Sequence, residues 1–237
     1  MTGFELRRGA RGVVRVGHRG AAALAAENSL AAIQAAAGAG VDAVELDVMR
    51  REDGALVLAH GPVVPSGAPT LDEALALVAR LGLAVQLDVK EDGTEAQVGD
   101  SLRAHDLLGR CFVSSFSLPV LRAFAVTLPA VPRSFTYPED RLGASERQLL
   151  RPAVPAALAL LRALLPRRLP GLLARAGAQA ATLNWGVVTP AAIAACHAAG
   201  AAVYVWTVTD AGLATSLVES GIDGIIVDDP RILALRT

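Results

Sequence analysis

The sequence predicts an α/β protein of the (β/α)8 TIM barrel type, and three observations carry that prediction. Eight short apolar runs rich in β-branched residues recur along the chain, and helical stretches rich in alanine and leucine separate them. The length of 237 residues is close to that of one such barrel. Alternating strands and helices build parallel βαβ units, and eight of them favour closure over an open doubly wound sheet. Nothing demands a second domain, so residues 1–237 are read as one.

The first strand falls at 13–17 and the first helix at 29–39, where Gly40 can end the turn in a left-handed conformation. The second strand is 43–48, with a short extra strand at 56–59. A helix at 71–81 starts from Thr70, whose hydroxyl suits a cap, and stops before Gly82. The third strand is 84–89, followed by a helix at 95–105, a strand at 111–114, a helix at 118–128 and a fifth strand at 130–134. The sixth strand is 181–184. Thr189-Pro190 opens a helix at 190–199, then come a strand at 203–207, a helix at 211–220 and a last strand at 224–227.

One connection is long. Residues 135–179 separate the fifth and sixth strands, and an inserted basic helical segment is expected near 136–179. Arginines stand at 141, 147, 151, 162, 167, 168 and 175 with a single acid, Glu146, among them. Leucines at 158, 160, 161, 164 and 165 accompany them between Pro155 and Pro166. The plainer reading is a barrel helix with a solvated basic face. The functional one is a lid, or a peripheral membrane contact through 141–175, since basic amphipathic helices favour anionic interfaces.

Net charge is −1, so no global basic field points to nucleic acid. Much of the 53% hydrophobic share is alanine, and no apolar run reaches the ~20 residues of a spanning helix. The segment before His18 lacks a secretory apolar core, so a cytoplasmic protein is expected. Cys111 and Cys196 are isolated in apolar surroundings and read as reduced and buried.

Candidate chemistry gathers at strand exits. In Val44-Glu45-Leu46-Asp47-Val48 the two acids share one face of a strand, with the aliphatic residues on the other. Paired carboxylates on a buried parallel strand need a cation, a shared proton or strong hydrogen bonds. Oxygen ligands of this type suit Mg²⁺, Mn²⁺ or Ca²⁺. The next strand repeats the pattern with Gln86, Asp88 and Lys90, adding a third acid and a cation that can meet a phosphate. His18 follows the first strand and His60 the short extra one, where side chains reach the barrel mouth. Two such imidazoles can serve as general acid and base. Arg19 offers a planar fork to two phosphate oxygens, and Gly20 permits close backbone approach. Asn28 is expected to cap the following helix, with Glu27 helping to order the site. His105 and His197 lie in helical stretches and read as surface or packing residues.

These residues resemble the glycerophosphodiester phosphodiesterases. The likeness is carried by GHRGAAALAAENSLAAIQAAAGAGVDAVELDVMRREDGALVLAH at 17–60, PTLDEAL at 69–75 and QLDVK at 86–90. SSF at 114–116, VYVWTV at 203–208 and GIDGIIVDDP at 221–230 extend it to residues 13–232. The resemblance implies a barrel that uses a divalent cation to hydrolyse glycerophosphodiesters to an alcohol and sn-glycerol 3-phosphate. It implies Glu45, Asp47 and Asp88 as metal carboxylates, His18 and His60 as the catalytic pair, and Arg19 and Lys90 as phosphate-binding residues. It also implies that Trp206 lines the substrate site.

Three features depart from the family pattern. Asp88 stands where a glutamate is usual, Gly61 replaces the aspartate after the second histidine, and only nine residues separate His60 from Thr70, a shortened cap. These also resemble the phospholipase D toxin branch of the superfamily, so a lysophospholipase D-like enzyme acting on lysophospholipids at a membrane surface is the alternative expectation. A non-catalytic phosphodiester-binding relative is the second alternative.

Overall fold

The computed structural model describes residues 5–10, 12–61, 63–138 and 154–233. Nine strands form one sheet: β1 (Val14–Gly17), β2 (Ala43–Arg50), β3 (Leu56–Leu58), β4 (Ala84–Val89), β5 (Cys111–Ser115), β6 (Arg133–Tyr137), β7 (Ala180–Asn184), β8 (Ala202–Val208) and β9 (Gly224–Val227). Neighbours run β1-β9-β8-β7-β6-β5-β4-β2, all parallel, and β1 also pairs with β2, so eight strands close into a barrel. The short β3 pairs antiparallel with the end of β2 and stays outside the ring.

Among the described residues, seven α-helices wrap the outside: α1 (Leu30–Gly38), α2 (Leu71–Leu81), α3 (Glu95–Ala104), α4 (Leu118–Thr127), α5 (Val154–Ala176), α6 (Pro190–Ala198) and α7 (Ala211–Glu219). Local sequence explains their ends. Thr70 and Glu73 form a reciprocal capping box at α2, and Gly82 ends that helix at φ +72°. Thr189 accepts from the Ala192 amide at the start of α6.

Three apolar clusters hold the barrel. One lies between strands and helices on the β2–β5 side, around Leu46, Leu75, Leu87 and Phe124. A second lies on the β6–β9 side, around Leu169, Leu183, Val205 and Ile225. The third plugs the interior near its N-terminal end, where Phe112 and Tyr204 rings stand 5.1 Å apart among Val16, Ala43 and Ala180. Above this plug the inward positions turn polar: Gln86, Ser114, Ser134, Thr136 and Thr182 are all buried. An apolar floor beneath a polar mouth positions the site.

Two boundaries differ from the sequence reading. The strand expected at 130–134 runs Arg133–Tyr137. Pro132 has no N–H to give the ladder, and the buried Arg133 guanidinium instead donates to the carbonyls of Val131 and Gly177. The basic segment is largely α5, a 23-residue helix that continues through Pro166 and Pro170. Leu165, Leu169, Leu173 and Ala176 bury one stripe against the barrel, and this packing outweighs the two missing backbone donors. Arg162, Arg167, Arg168 and Arg175 are exposed on its outer side, while Arg141, Arg147 and Arg151 lie outside the described residues. Cys111 and Cys196 are free and buried, and burial pushes both thiols up to about 12. No described helix is long and apolar enough to cross a membrane.

Candidate active site

Register places the acids. Glu45 pairs with Gln86 and Asp47 with Asp88 across β2 and β4, so the alternation of each strand turns three carboxylates into one layer of the barrel interior. One oxygen from each of Glu45, Asp47 and Asp88 lies within 4.8 Å of the others, and all three residues are buried. Burial, reinforced by the charge of Asp47, pushes the Glu45 carboxyl up to about 7. Burial also opposes ionisation of Asp47, but the hydrogen bond with His60 and the charges of Lys90 and Arg19 hold it well below the usual carboxylate range. Asp47 therefore stays ionised against Arg19 and Lys90, while Glu45 holds its proton more tightly than an exposed carboxyl. An all-oxygen donor set of this kind fits a hard divalent cation.

Asp47 is the hub. Its carboxylate lies 2.5 Å from Lys90 Nζ, 3.1 Å from Arg19 Nε and 3.2 Å from His60 Nδ1, and it accepts from Asn28 Nδ2 at 3.0 Å. Lys90 also pairs with Asp88, and burial is outweighed by Asp88, Asp47 and Glu45, which raise its pKa. Asp88 further accepts from Ser114 Oγ at 2.6 Å, and Ser114 in turn accepts from Gln86 Nε2.

His18 sits one residue past β1. Its ring Nδ1 lies 2.7 Å from Asp228 Oδ1, so the carboxylate accepts and the other nitrogen, Nε2, carries the lone pair of the neutral ring. Nε2 stands 3.9 Å from Glu45. Burial works against a proton on His18, yet the Asp228 hydrogen bond and the field of Glu45 outweigh it and raise the pKa. Arg19 follows at φ +50°, its amide donating to Glu45 and its guanidinium to Glu27 at 2.6 Å. Gly20 takes φ +88°, and a Cβ there would fall 2.6 Å from the Ala32 carbonyl carbon, which only glycine avoids. Trp206, partly buried at the inner face of β8, donates to the Thr182 carbonyl and meets Phe116 edge-on at 6.1 Å.

One expected role is corrected. Ser29, not Asn28, caps α1, accepting from the Ala32 amide. Asn28 is buried at φ +53° and grips Asp47 at two points, its Oδ1 taking the Asp47 amide and its Nδ2 the carboxylate. The sequence reading also missed Asp228, Ser114 and Thr136. Asp228 follows the last strand directly, as His18 follows the first, and that placement was the available signal. A larger cavity of about 650 Å³ lies at the other end of the barrel, but its arginines already serve backbone carbonyls: Arg7 on His197 and Ala201, Arg110 on Leu83.

A closed (β/α)8 barrel whose C-terminal mouth gathers three acids, two histidines and two cations has the layout of a barrel hydrolase. The chain belongs to the glycerophosphoryl diester phosphodiesterase family, whose model matches residues 18–92 and 69–232. The glycerophosphodiester phosphodiesterase of Caldanaerobacter subterraneus subsp. tengcongensis is 23% identical over 92% of this chain and 95% of its own length. Among solved structures, an Oleispira antarctica phosphodiesterase in complex with the product sn-glycerol-3-phosphate superposes with a TM-score of 0.72 at 21% identity, covering 93% of this chain and 95% of the other. A glycerophosphodiester phosphodiesterase from Agrobacterium tumefaciens gives 0.71 at 22% identity, covering 94% and 99%. These structures share the fold.

Proposed function

We propose that this phosphoric diester hydrolase cleaves glycerophosphodiesters to an alcohol and sn-glycerol 3-phosphate, with His18 and His60 moving the protons. The observation that carries the reading is the pairing of each histidine Nδ1 with a carboxylate, Asp228 for His18 and Asp47 for His60, beside one buried acid cluster. Glu45, Asp47 and Asp88 would hold Mg²⁺, Ca²⁺ or Mn²⁺, which when bound supplies Lewis-acid polarisation of a phosphoryl oxygen. Arg19 and Lys90 bind the remaining phosphate charge and matter most where it grows in the transition state. One imidazole removes the proton of the attacking oxygen, from water or the glycerol 2-hydroxyl. The other gives a proton to the departing alkoxide as its P–O bond breaks, and water completes the hydrolysis. Trp206 lines the space beside the reacting phosphate, and Asn28 and Glu27 position Asp47 and Arg19.

The decisive experiment follows phosphate release from several glycerophosphodiesters through a coupled alcohol-specific or phosphatase step. EDTA treatment of the enzyme, with the chelator then removed, is expected to abolish turnover, and added divalent cation to restore it. Full activity in the metal-stripped enzyme would overturn the assignment of the acid cluster. Asp228→Asn tests the positioning of His18: kcat is expected to fall at least ~10-fold with KM little changed, because the amide no longer fixes the ring's tautomer. An unaltered kcat would remove Asp228 from the scheme.

A further inference from the structure

Two buried side-chain atoms among the described residues make no hydrogen bond: Arg19 Nε, which still lies 3.1 Å from the Asp47 carboxylate, and Gln86 Oε1. Gln86 is 1% exposed within β4, and an amide oxygen buried without a donor is costly. Turning the amide over does not relieve it. Ser114 Oγ donates to Asp88 at 2.6 Å, so its one hydroxyl hydrogen is committed and it can only accept from Gln86. Gln86 Nε2 therefore faces Ser114 at 2.9 Å, and Oε1 is left on the other branch of the amide.

The layers around Gln86 show which donor would suit that oxygen. On β5 its partner is Phe112 of the apolar plug, where the Tyr204 hydroxyl is spent on the Leu6 carbonyl. On β2 its partner is Glu45 of the acid cluster. A carboxylate that ligates a cation accepts hydrogen bonds and donates none. Hard divalent cations, by contrast, take about six to eight oxygens, and Mg²⁺ keeps several of its waters. Three carboxylates leave part of that shell to water and substrate phosphate. A neutral acceptor also suits this place, since a fourth acid would add to the repulsion among three.

Resting on the reading of Glu45, Asp47 and Asp88 as a cation site, we propose that Gln86 is a positioning residue for that cation. Its Oε1 accepts a hydrogen from a water that the cation holds. The one amide then ties two sides of the site together: Nε2, through Ser114, steadies the Asp88 carboxylate, and Oε1 steadies the water. Residues of this outer kind typically change metal affinity about 10–100-fold when they are lost.

The test titrates the metal-stripped full chain with Mn²⁺, reading free ion by electron paramagnetic resonance, and melts each metal-free protein by calorimetry. Gln86→Met keeps the shape of the side chain and removes both polar atoms; Gln86→Leu does the same with less volume. Each is expected to raise the Mn²⁺ Kd at least ~10-fold. The metal-free variants are expected to melt no lower than the parent, because a buried unpartnered oxygen has gone. In a Ser114→Ala background the line to Asp88 is already cut, and Gln86→Met is still expected to weaken Mn²⁺ about tenfold. Unchanged affinity in both Gln86 variants overturns the proposal alone, as does no further loss in the Ser114→Ala background. Weakened binding that comes only with a lowered melting temperature of the metal-free protein overturns it in favour of a structural role. A parent protein that binds no Mn²⁺ overturns the cation site along with it.

Discussion

His18→Ala is expected to lower kcat on a glycerophosphodiester by about 10²–10⁴-fold, the usual contribution of a positioned general acid or base. The fold is expected to survive the change. His18 lies beyond β1, its side chain meets Asp228 and Glu45, and its amide keeps its bond to the Val227 carbonyl whatever the side chain. Loss of the imidazole leaves Asp228 partly solvated, which costs little for a carboxylate already at the surface of the mouth. Phosphate release together with thermal melting separates the two effects. A His18→Ala enzyme with near-parent kcat would sink the mechanism, and one that no longer melts cooperatively would show a structural role instead.

Asp47→Asn is expected to cost both activity and stability. The shape of the side chain is kept, but its charge answers Lys90, Arg19 and His60 at once, and both cations are largely removed from water. Breaking a buried ion pair from one side typically costs about 3–5 kcal/mol. In a domain of this size that is a melting temperature lowered by roughly 6–20 °C, read by calorimetry. Turnover is expected to fall to background, because the acid cluster loses the member that Lys90, Arg19, His60 and Asn28 all contact. A variant that melts with the parent protein would mean that Asp47 contributes no net stabilisation to the cluster.

Much of this centre was legible because strand alternation is a strict geometric rule. Glu45 and Asp47 had to share a face, and so did Gln86 and Asp88, before any register was known. The pairing of His18 with Asp228 was not legible, because it depends on β1 and β9 being neighbours across the closure. Asn28 was misread for a related reason. Its sequence position suits a cap, and only the tertiary approach of β2 gives its amide a better partner in Asp47. That α5 continues through Pro166 and Pro170 was not legible either, since local propensity disfavours it and only tertiary packing of a row of buried leucines carries the helix on.

The bond between His18 and Asp228 also has a meaning in time. The two residues are separated by 210 positions, and the second follows the strand that seals the barrel. During synthesis, His18 emerges 210 residues before Asp228 and lacks that partner until the segment after β9 has left the ribosome. Contacts of such long range are among the last to be rewarded in folding, since the intervening loop entropy must be overcome first. A chain that stops short of β9 thus carries the acid cluster but leaves the His18 ring unoriented, and the complete site forms only with the final seam.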